Sequence, residues 1–238
     1  MLKSTNMDTC DFSNVDKRFA PVNSSRTFRH ILDILKLRDK KVLDLGCGFG
    51  EHLVMFGKDS LGVTSTAEEV AYGEARNIRI IKGNVELIEE LRLDEHFEGM
   101  WANNLFEHLL SPHSFLVSLK LVAQKDTMLV LGVPMVPRVA SLMKLNKFRG
   151  ALAVAHINFF TRETLRLTVQ RAGWRVADIR PFVFSNVYLD RLFSFFAPHL
   201  YVVAYNEAGF VYPDKKIKEW QDEPHYKKLL AIAGRRAY

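Results

Sequence analysis

The stretch KVLDLGCGFG, residues 41–50, decides the fold of this chain. It begins as a short run of strand-forming residues and ends in a turn with glycine at positions 46, 48 and 50. Glycine adopts positive φ angles at little cost and lets a ligand approach the bare backbone. In open α/β sheets, ligands bind at such a turn, beyond the carboxyl end of a strand. The stretch therefore predicts a strand, a ligand-binding turn and a helix beginning near Glu51.

The turn differs from the dinucleotide-binding pattern G-x-G-x-x-G. That pattern would require glycine at position 51, where this chain has Glu51. A negative side chain there would also oppose a pyrophosphate at the helix N-terminus. We therefore do not expect a nicotinamide cofactor.

Strands and helices alternate along the rest of the chain. Further strands are expected at 61–63, 78–82, 96–102, 127–133, 174–184 and 200–205, and helices near 66–75, 114–123 and 161–172. This alternation predicts right-handed βαβ units and a sheet covered on both faces. The segment 188–196 is too short for a confident crossover, so the last two strands should be antiparallel neighbours. We predict an α/β fold with a Rossmann-like, seven-stranded, mostly parallel sheet in the order 3-2-1-4-5-7-6, with helices on both faces and only the last strand antiparallel.

The length of 238 residues fits one domain with a modest cap or tail. We expect a flexible N-terminal segment at 1–23, a main domain at 24–206 with a small cap near 136–158, and a polar C-terminal tail at 207–238. The first residues lack an apolar signal sequence, and polar residues interrupt the apolar stretch 182–205, so we expect no membrane span. With two cysteines, a reduced, cytoplasmic location is the simpler interpretation.

The net charge of +6 raises the question of a nucleic-acid partner. The lysines and arginines are spread along the chain, and no aromatic-interleaved basic motif accompanies them. A solvated surface is therefore the favoured interpretation, and a polyanion site is the alternative. We do not expect nucleic acid as a partner.

Three segments in order carry a resemblance to a known family. They are VLDLGCGFG at 42–50, FEGMWANNLFEHL at 97–109, and HINFFTRETL at 156–165 followed by AGW at 172–174. Together they resemble the class I S-adenosylmethionine-dependent methyltransferases, in particular the small-molecule subgroup similar to the ubiquinone-biosynthesis methyltransferases. The resemblance implies methyl transfer from S-adenosylmethionine to a small molecule or to a cell-envelope glycan or lipid-linked intermediate. An RNA methyltransferase and a non-catalytic binding protein with the same fold are the alternatives.

The resemblance also implies which residues bind the cofactor. It assigns this role to Asp44, Gly46, Cys47, Gly48, Gly50, Thr64, Asn84, Val85 and Asn103. Asp44 would accept a hydrogen bond from the ammonium group, and the backbone carbonyl of Asn103 would face the methionine group. Cys47 belongs to the turn, but we interpret its side chain as a packing residue. Asp44 as a loop anchor is the alternative.

Two positions differ from the family pattern. Thr64 ends the second strand, where relatives usually have an acidic residue that binds both ribose hydroxyls, and a single hydroxyl cannot replace that bidentate contact. Thr64→Asp should then tighten cofactor binding about tenfold, unless Glu68 or Glu69 already reaches the ribose. Asn84 stands where relatives have Asp, and its amide oxygen can still accept from the adenine amino group, beside a backbone bond from Val85. The alternatives are a helix cap or turn for Thr64 and a plain turn residue for Asn84.

His108 and His156 are the candidate catalytic bases. Histidine titrates near neutral pH, which suits proton removal from an acceptor. A structural role is the alternative for both, and Glu107 is expected to hold its loop. Since no Cys/His cluster has zinc spacing, the sequence predicts no metal site. We expect a further aromatic set to be mostly core, with a substrate wall as the alternative: Phe182, Phe184, Tyr188, Phe193, Phe195 and Phe196.

Overall fold

The computed structural model describes residues 13–136 and 155–233, which form one seven-stranded sheet flanked by helices. The strands are β1 (Val42–Leu45), β2 (Leu61–Thr64), β3 (Ile80–Lys82), β4 (Phe97–Asn103), β5 (Ala123–Pro134), β6 (Trp174–Arg180) and β7 (His199–Asn206). The α-helices are α1 (Ser13–Asp16), α2 (Phe19–Ser24), α3 (Arg26–Leu35), α4 (Ala67–Arg76), α5 (Pro112–Ser118), α6 (Arg162–Arg171), α7 (Val187–Phe193), α8 (Asp214–Trp220) and α9 (Pro224–Ala233).

The strand order is β3-β2-β1-β4-β5-β7-β6, so the predicted topology is confirmed. Strands β1 to β5 pair in parallel, and β7 is antiparallel to both β5 and β6. The strand β6 therefore runs in the same direction as β1 to β5. The carboxyl ends of six strands consequently meet at one edge of the sheet.

Two apolar cores cover the two faces of the sheet. On one face, Phe28 of α3 packs against Trp101 of β4 with ring centroids 5.4 Å apart. On the other, Trp174 of β6 is fully buried, and its indole Nε1 donates to the carbonyl of Leu116 in α5, 2.8 Å away. All four residues of β1 are buried, as expected of a strand covered on both sides.

The expectation of an α-helix beginning near Glu51 is wrong. The segment contains only a short 3₁₀ helix at Leu53–Met55. The backbone of Gly57 explains why, since its N–H donates to the carbonyls of Leu37 and Lys40 at 3.1 and 3.0 Å. These bonds hold the segment against the base of β1, and the chain enters β2 at Leu61 before a helix can form.

The segments before and after the sheet contain packed helices. At the N-terminal end, Asp16 of α1 accepts hydrogen bonds from the Tyr72 hydroxyl at 2.7 Å and the Arg76 guanidinium at 2.6 Å. At the other end, Leu229 and Ile232 of α9 are buried in the core. The division into a segment 1–23, a domain and a tail stays a prediction. The expected cap near 136–158 lies largely outside the described residues.

The expectation that the aromatic residues at 182–196 are mostly core is wrong. Phe182 is buried, whereas the other five are exposed, Tyr188 at 80%. The fully buried Asp190 in the middle of α7 gives the reason. Its carboxylate accepts from the backbone N–H groups of Val183 and Phe184 and pairs with Arg180 at 3.2 Å. Because α7 is held to the protein by this polar side chain, its apolar side chains face outward.

Candidate functional site

The glycine turn after β1 has the conformation that its sequence predicts. Gly46, Gly48 and Gly50 have φ angles of 71°, 57° and 90°, in the region that favours glycine. The N–H groups of Gly46 and Cys47 donate to the carbonyl of Val63 at 2.9 and 3.1 Å, which fixes the turn to β2. A Cβ added at Gly48 would lie 3.1 Å from a carboxylate oxygen of Glu51. The turn therefore has little room for a side chain at this position.

A cavity of about 350 Å³ opens beside this turn, at the carboxyl edge of the sheet. Its size falls in the range of small-molecule sites. The lining residues are Gly46, Gly48, Thr64, Ser65, Glu69, Gly83, Asn84, Val85, Glu86, Leu105, His108 and Leu109. Six of them are predicted site residues, drawn from the ends of β1, β2 and β3 and from the segment after β4.

The other predicted residues do not line this cavity. Asp44 is 2% exposed at the end of β1, and one of its carboxylate oxygens has no hydrogen-bond partner among the described residues. Burial, together with the nearby Glu51, raises its pKa. The side-chain oxygen of Asn103 at the end of β4 is likewise buried without a donor within 13–136 and 155–233. Buried oxygens without donors are costly, so each of these two oxygens is a candidate acceptor for a donor group of a ligand.

Cys47 is buried beneath the turn, as expected of a packing residue. Burial and the nearby carboxylates raise the pKa of its thiol far above the ordinary value. A thiol that stays protonated is a poor nucleophile. The structure is therefore consistent with a packing role for the side chain of Cys47.

A carboxylate lies at the end of β2 although the strand itself ends in Thr64 and not in an acidic residue. The hydroxyls of Thr64 and Thr66 both donate to the carboxylate of Glu69, in the first turn of α4. The other oxygen of Glu69 lies 4.0 Å from the position of a Cβ at Gly48. Glu68, by contrast, is exposed. Glu69 therefore presents an acceptor beside the glycine turn, where the cofactor ribose is expected.

The side chain of Asn84 forms a turn after β3. Its amide oxygen accepts from the backbone N–H of Glu86 at 2.9 Å. Glu86 in turn accepts from the N–H groups of Leu110 and Ser111, both at 2.9 Å. These contacts connect two loops at the cavity mouth. The predicted adenine contacts of Asn84 and Val85 stay predictions.

Both candidate bases lie beside the carboxylate of Glu107. The Nε2 atoms of His108 and His156 are each 3.9 Å from the same oxygen of Glu107. The two imidazole rings meet edge to face, with centroids 4.9 Å apart. Glu107 is 1% exposed, and burial raises its pKa. His108 is exposed and lines the cavity, so the cluster opens toward this cavity.

Backbone hydrogen bonds bring the two halves of this cluster together. The carbonyl of Glu107 accepts from the N–H groups of Ile157 and Asn158, both at 3.0 Å. The side-chain amide of Asn158 donates to the carbonyl of Leu109 at 2.7 Å. The segments 105–109 and 155–158 are therefore held in one arrangement, although they are far apart in the sequence.

Sequence reasoning named Glu69 only together with Glu68, as a carboxylate that could reach the ribose, and it expected Glu107 to hold its loop. For Glu69 the available signal was its place as an acidic residue in the first turn of the helix that follows a strand without an acidic residue at its end. For Glu107 it was the direct neighbour His108 in the EHL motif. Neither signal shows that a side chain faces the cavity, because that depends on how separate loops pack together.

An exposed apolar surface lies at the same edge of the sheet. We define the α7 patch as Val183, Phe184, Tyr188, Leu189, Leu192, Phe193, Phe195 and Phe196, all exposed. These residues follow β6, whose carboxyl end lies at the edge that carries the cavity. Contiguous apolar surface on a folded domain marks a site of interaction.

No helix in the described ranges is long and apolar enough to cross a membrane.

Comparison with known proteins places residues 18–179 in a family model described as a methyltransferase domain. Many solved structures share the fold. A SAM-dependent methyltransferase from Thermotoga maritima has a TM-score of 0.56 and 16% identity, covering 82% of this chain and 95% of that one. One from Archaeoglobus fulgidus has the same score, identity and coverage of this chain, with 100% of its own length covered.

A third similar structure is magnesium protoporphyrin IX methyltransferase from Synechocystis with bound SAH, the demethylated form of the cofactor. Its TM-score is 0.54 at 14% identity, with 86% of this chain and 90% of that chain covered. At these identities the likeness shows the fold. No match was found among curated proteins.

Proposed function

Since the chain belongs to the methyltransferase domain family, we propose that it methylates a small molecule, or a cell-envelope glycan or lipid intermediate, that has an apolar portion. The enzyme is a SAM-dependent methyltransferase of class I fold. The observation that supports the proposal most is the cavity that joins the glycine turn to His108. A cofactor bound at the glycine turn would share one surface with a candidate base.

We assign cofactor binding to the residues around this cavity. Asp44 would accept from the ammonium group, because its buried oxygen has no donor in the described chain. Glu69 would accept from the ribose hydroxyls. It would take the role of the acidic residue that relatives usually have at the position of Thr64. Gly46 and Gly48 would leave room for the methionine portion, and Asn84 with Val85 would contact the adenine.

S-adenosylmethionine supplies an activated methyl group, and the acceptor lone pair forms the new bond while the carbon–sulfur bond breaks with its electrons on a neutral thioether. The protein has to hold the acceptor in line, about 3 Å from the methyl carbon. A hydroxyl or amine acceptor also has to lose a proton. His108, which lines the cavity, or His156, beside the same carboxylate, would take that proton, which contributes about 10²–10⁴-fold to the rate.

The α7 patch supports an acceptor with an apolar portion. Asp190 anchors α7 from within, so the apolar side chains face outward at the edge that carries the site. A lipid tail or an aromatic ring could pack there while its polar end reaches His108. The similarity to the ubiquinone-biosynthesis subgroup, whose acceptors are of this kind, is part of the proposal.

The test is transfer of a labelled methyl group from S-adenosylmethionine by the full chain. Three acceptor classes are compared: phenolic small molecules, lipid-linked glycans dispersed in detergent, and RNA. The proposal expects label in the first or second class, and label in RNA alone would contradict it. Leu192→Gln in the α7 patch should raise KM for an amphipathic acceptor and leave kcat unchanged. Val211→Gln, at an exposed apolar residue outside the patch, is the matched control.

A further inference from the structure

Glu107, His108 and His156 form a group whose geometry suits a metal ion. One carboxylate oxygen and one ring nitrogen from each histidine all lie within 4.8 Å of one another. The sequence spacing of these residues did not indicate a metal site, because they come from two separate segments. The group also contains no cysteine. Two imidazoles and one carboxylate are the ligand set of many zinc, iron and manganese sites.

The carboxylate of Glu107 is the acidic member of this group. Its two oxygens are buried, and neither accepts a hydrogen bond from the part of the chain that the structure describes. A buried carboxylate without donors is strongly unfavourable unless a charge compensates it. It lies between the two Nε2 atoms, at 3.9 Å from each. A small movement of these side chains would bring all three atoms to bonding distance of one cation.

His108 is oriented in the way that metal-binding histidines are. Its Nδ1 lies 3.0 Å from the carbonyl of Ala155. A carbonyl only accepts, so Nδ1 donates this bond, and in the neutral ring that leaves the lone pair on Nε2, the nitrogen 3.9 Å from Glu107. Such a bond from the second ring nitrogen fixes the tautomer and the ring orientation of a ligand. The bonds from Ile157 and Asn158 to the Glu107 carbonyl hold His156 in register.

We propose that Glu107, His108 and His156 bind a divalent cation of the Zn²⁺, Co²⁺ or Mn²⁺ class. Three protein ligands leave at least one coordination position open, as in catalytic zinc sites. Since His108 is exposed and lines the cavity, that position faces the site of transfer. The nitrogen ligands disfavour Mg²⁺, which prefers oxygen.

The cation would orient the acceptor. This role rests on the function proposed above, whereas the binding of the cation does not rest on it. An acceptor hydroxyl would become the next ligand, and the cation would lower the pKa of that hydroxyl. With the cation bound, the proton passes to bulk water and the two histidines are ligands, so the role of base proposed above applies to the metal-free enzyme. Metal binding and cofactor binding are measured separately, so failure of one is distinguishable from failure of the other.

The test is calorimetry with Zn²⁺ on the full chain after treatment with EDTA and dialysis. We expect one Zn²⁺ per chain. The affinity for Zn²⁺ should fall at least about tenfold in each of three variants, Glu107→Gln, His108→Asn and His156→Asn. Loss of a residue that only hydrogen-bonds to a metal ligand already lowers metal affinity about 10–100-fold. His96→Asn, at an exposed histidine outside the group, is the matched control and should bind like the original chain.

Visible absorption with Co²⁺ reports on the same site by coordination geometry. His108 is exposed, so the His108→Asn variant is expected to fold. If the Glu107→Gln variant does not fold, Zn²⁺ binding by His108→Asn still tests the proposal. Retained affinity for S-adenosylmethionine in a variant that has lost Zn²⁺ separates the two sites. Absence of Zn²⁺ binding, or equal affinity in the His108→Asn variant and the control, would overturn the proposal.

Discussion

Replacement of Glu69 tests how the enzyme binds a ribose although Thr64 ends β2. Glu69 lines the cavity, accepts from the hydroxyls of Thr64 and Thr66, and lies across from Gly48. Glu69→Gln keeps the shape of the side chain and one acceptor oxygen, but it removes the negative charge. We expect weaker binding of S-adenosylmethionine with an unchanged fold.

The size of the effect follows from the bonds that are lost. A charge-assisted hydrogen bond contributes about 1.5–3 kcal/mol. Glu69 is half-buried, so solvent reduces this value, and the amide keeps part of one bond. A net loss of about 1.4 kcal/mol is therefore expected, which corresponds to an approximately tenfold higher Kd.

Calorimetry of S-adenosylmethionine binding measures this change, and Glu68→Gln is the matched control. Glu68 is the neighbouring residue on α4, carries the same charge and is exposed. Its replacement should leave the Kd within about twofold, because a surface charge contributes little. Equal affinities for the original chain, Glu69→Gln and Glu68→Gln, in folded proteins, would refute the assignment of Glu69 to the ribose.

The double variant adds a second comparison. Thr64→Asp alone places a new carboxylate beside that of Glu69, and the repulsion of like charges should prevent any gain in affinity. In the Glu69→Gln background the same change should restore tight binding, because the new carboxylate then acts alone. Tighter binding in the original background instead would show that Glu69 does not serve the ribose.

Three further predictions follow from the structure. Gly48→Val should abolish cofactor binding in a folded protein, because valine disfavours the positive φ and its Cβ approaches Glu51. Calorimetry measures the binding, and circular dichroism shows whether the variant is folded. Asp190→Ala should destabilise the fold by about 3 kcal/mol, since it leaves the buried Arg180 without one partner, as measured by urea unfolding. Burial lowers the pKa of His52 and His199 to about 4, from an ordinary value of 6.5. The unfolded chain thus binds more protons, and stability should fall between about pH 6.5 and pH 4; a flat urea-unfolding midpoint over this range would contradict it.

The sheet was predictable because its sequence signals are local. The glycine turn at 46–50 has the expected positive φ angles, and the helix expected near 161–172 is present at Arg162–Arg171. The strand order follows from the alternation of strands and helices, and the short α7 predicts the antiparallel β7. The turn and the helices depend on residues close together in the chain, and the order in which strands and helices follow one another indicates the topology.

The errors have a common cause in contacts between distant residues. The helix expected after Glu51 is prevented by hydrogen bonds from Gly57 to Leu37 and Lys40. The aromatic residues of α7 are exposed because Asp190 occupies the inner face. An apolar pattern alone does not show which side of a short helix is buried when one polar residue has several partners.

The site shows the same limit. The predicted residues Gly46, Gly48, Thr64, Asn84, Val85 and His108 all line one cavity. The sequence left Glu68 and Glu69 as alternatives and could not show that Glu69 is the one that lines the cavity. It also could not show that His156 lies beside Glu107 and His108, because long-range backbone bonds bring these segments together.

The most direct test of the account is a crystal structure of the full chain with S-adenosylhomocysteine. We predict the ligand in the cavity beside the glycine turn, with its ammonium group at Asp44, its ribose hydroxyls at Glu69 and its sulfur directed toward His108. A ligand bound outside this cavity, or one whose sulfur faces away from His108, would contradict the account.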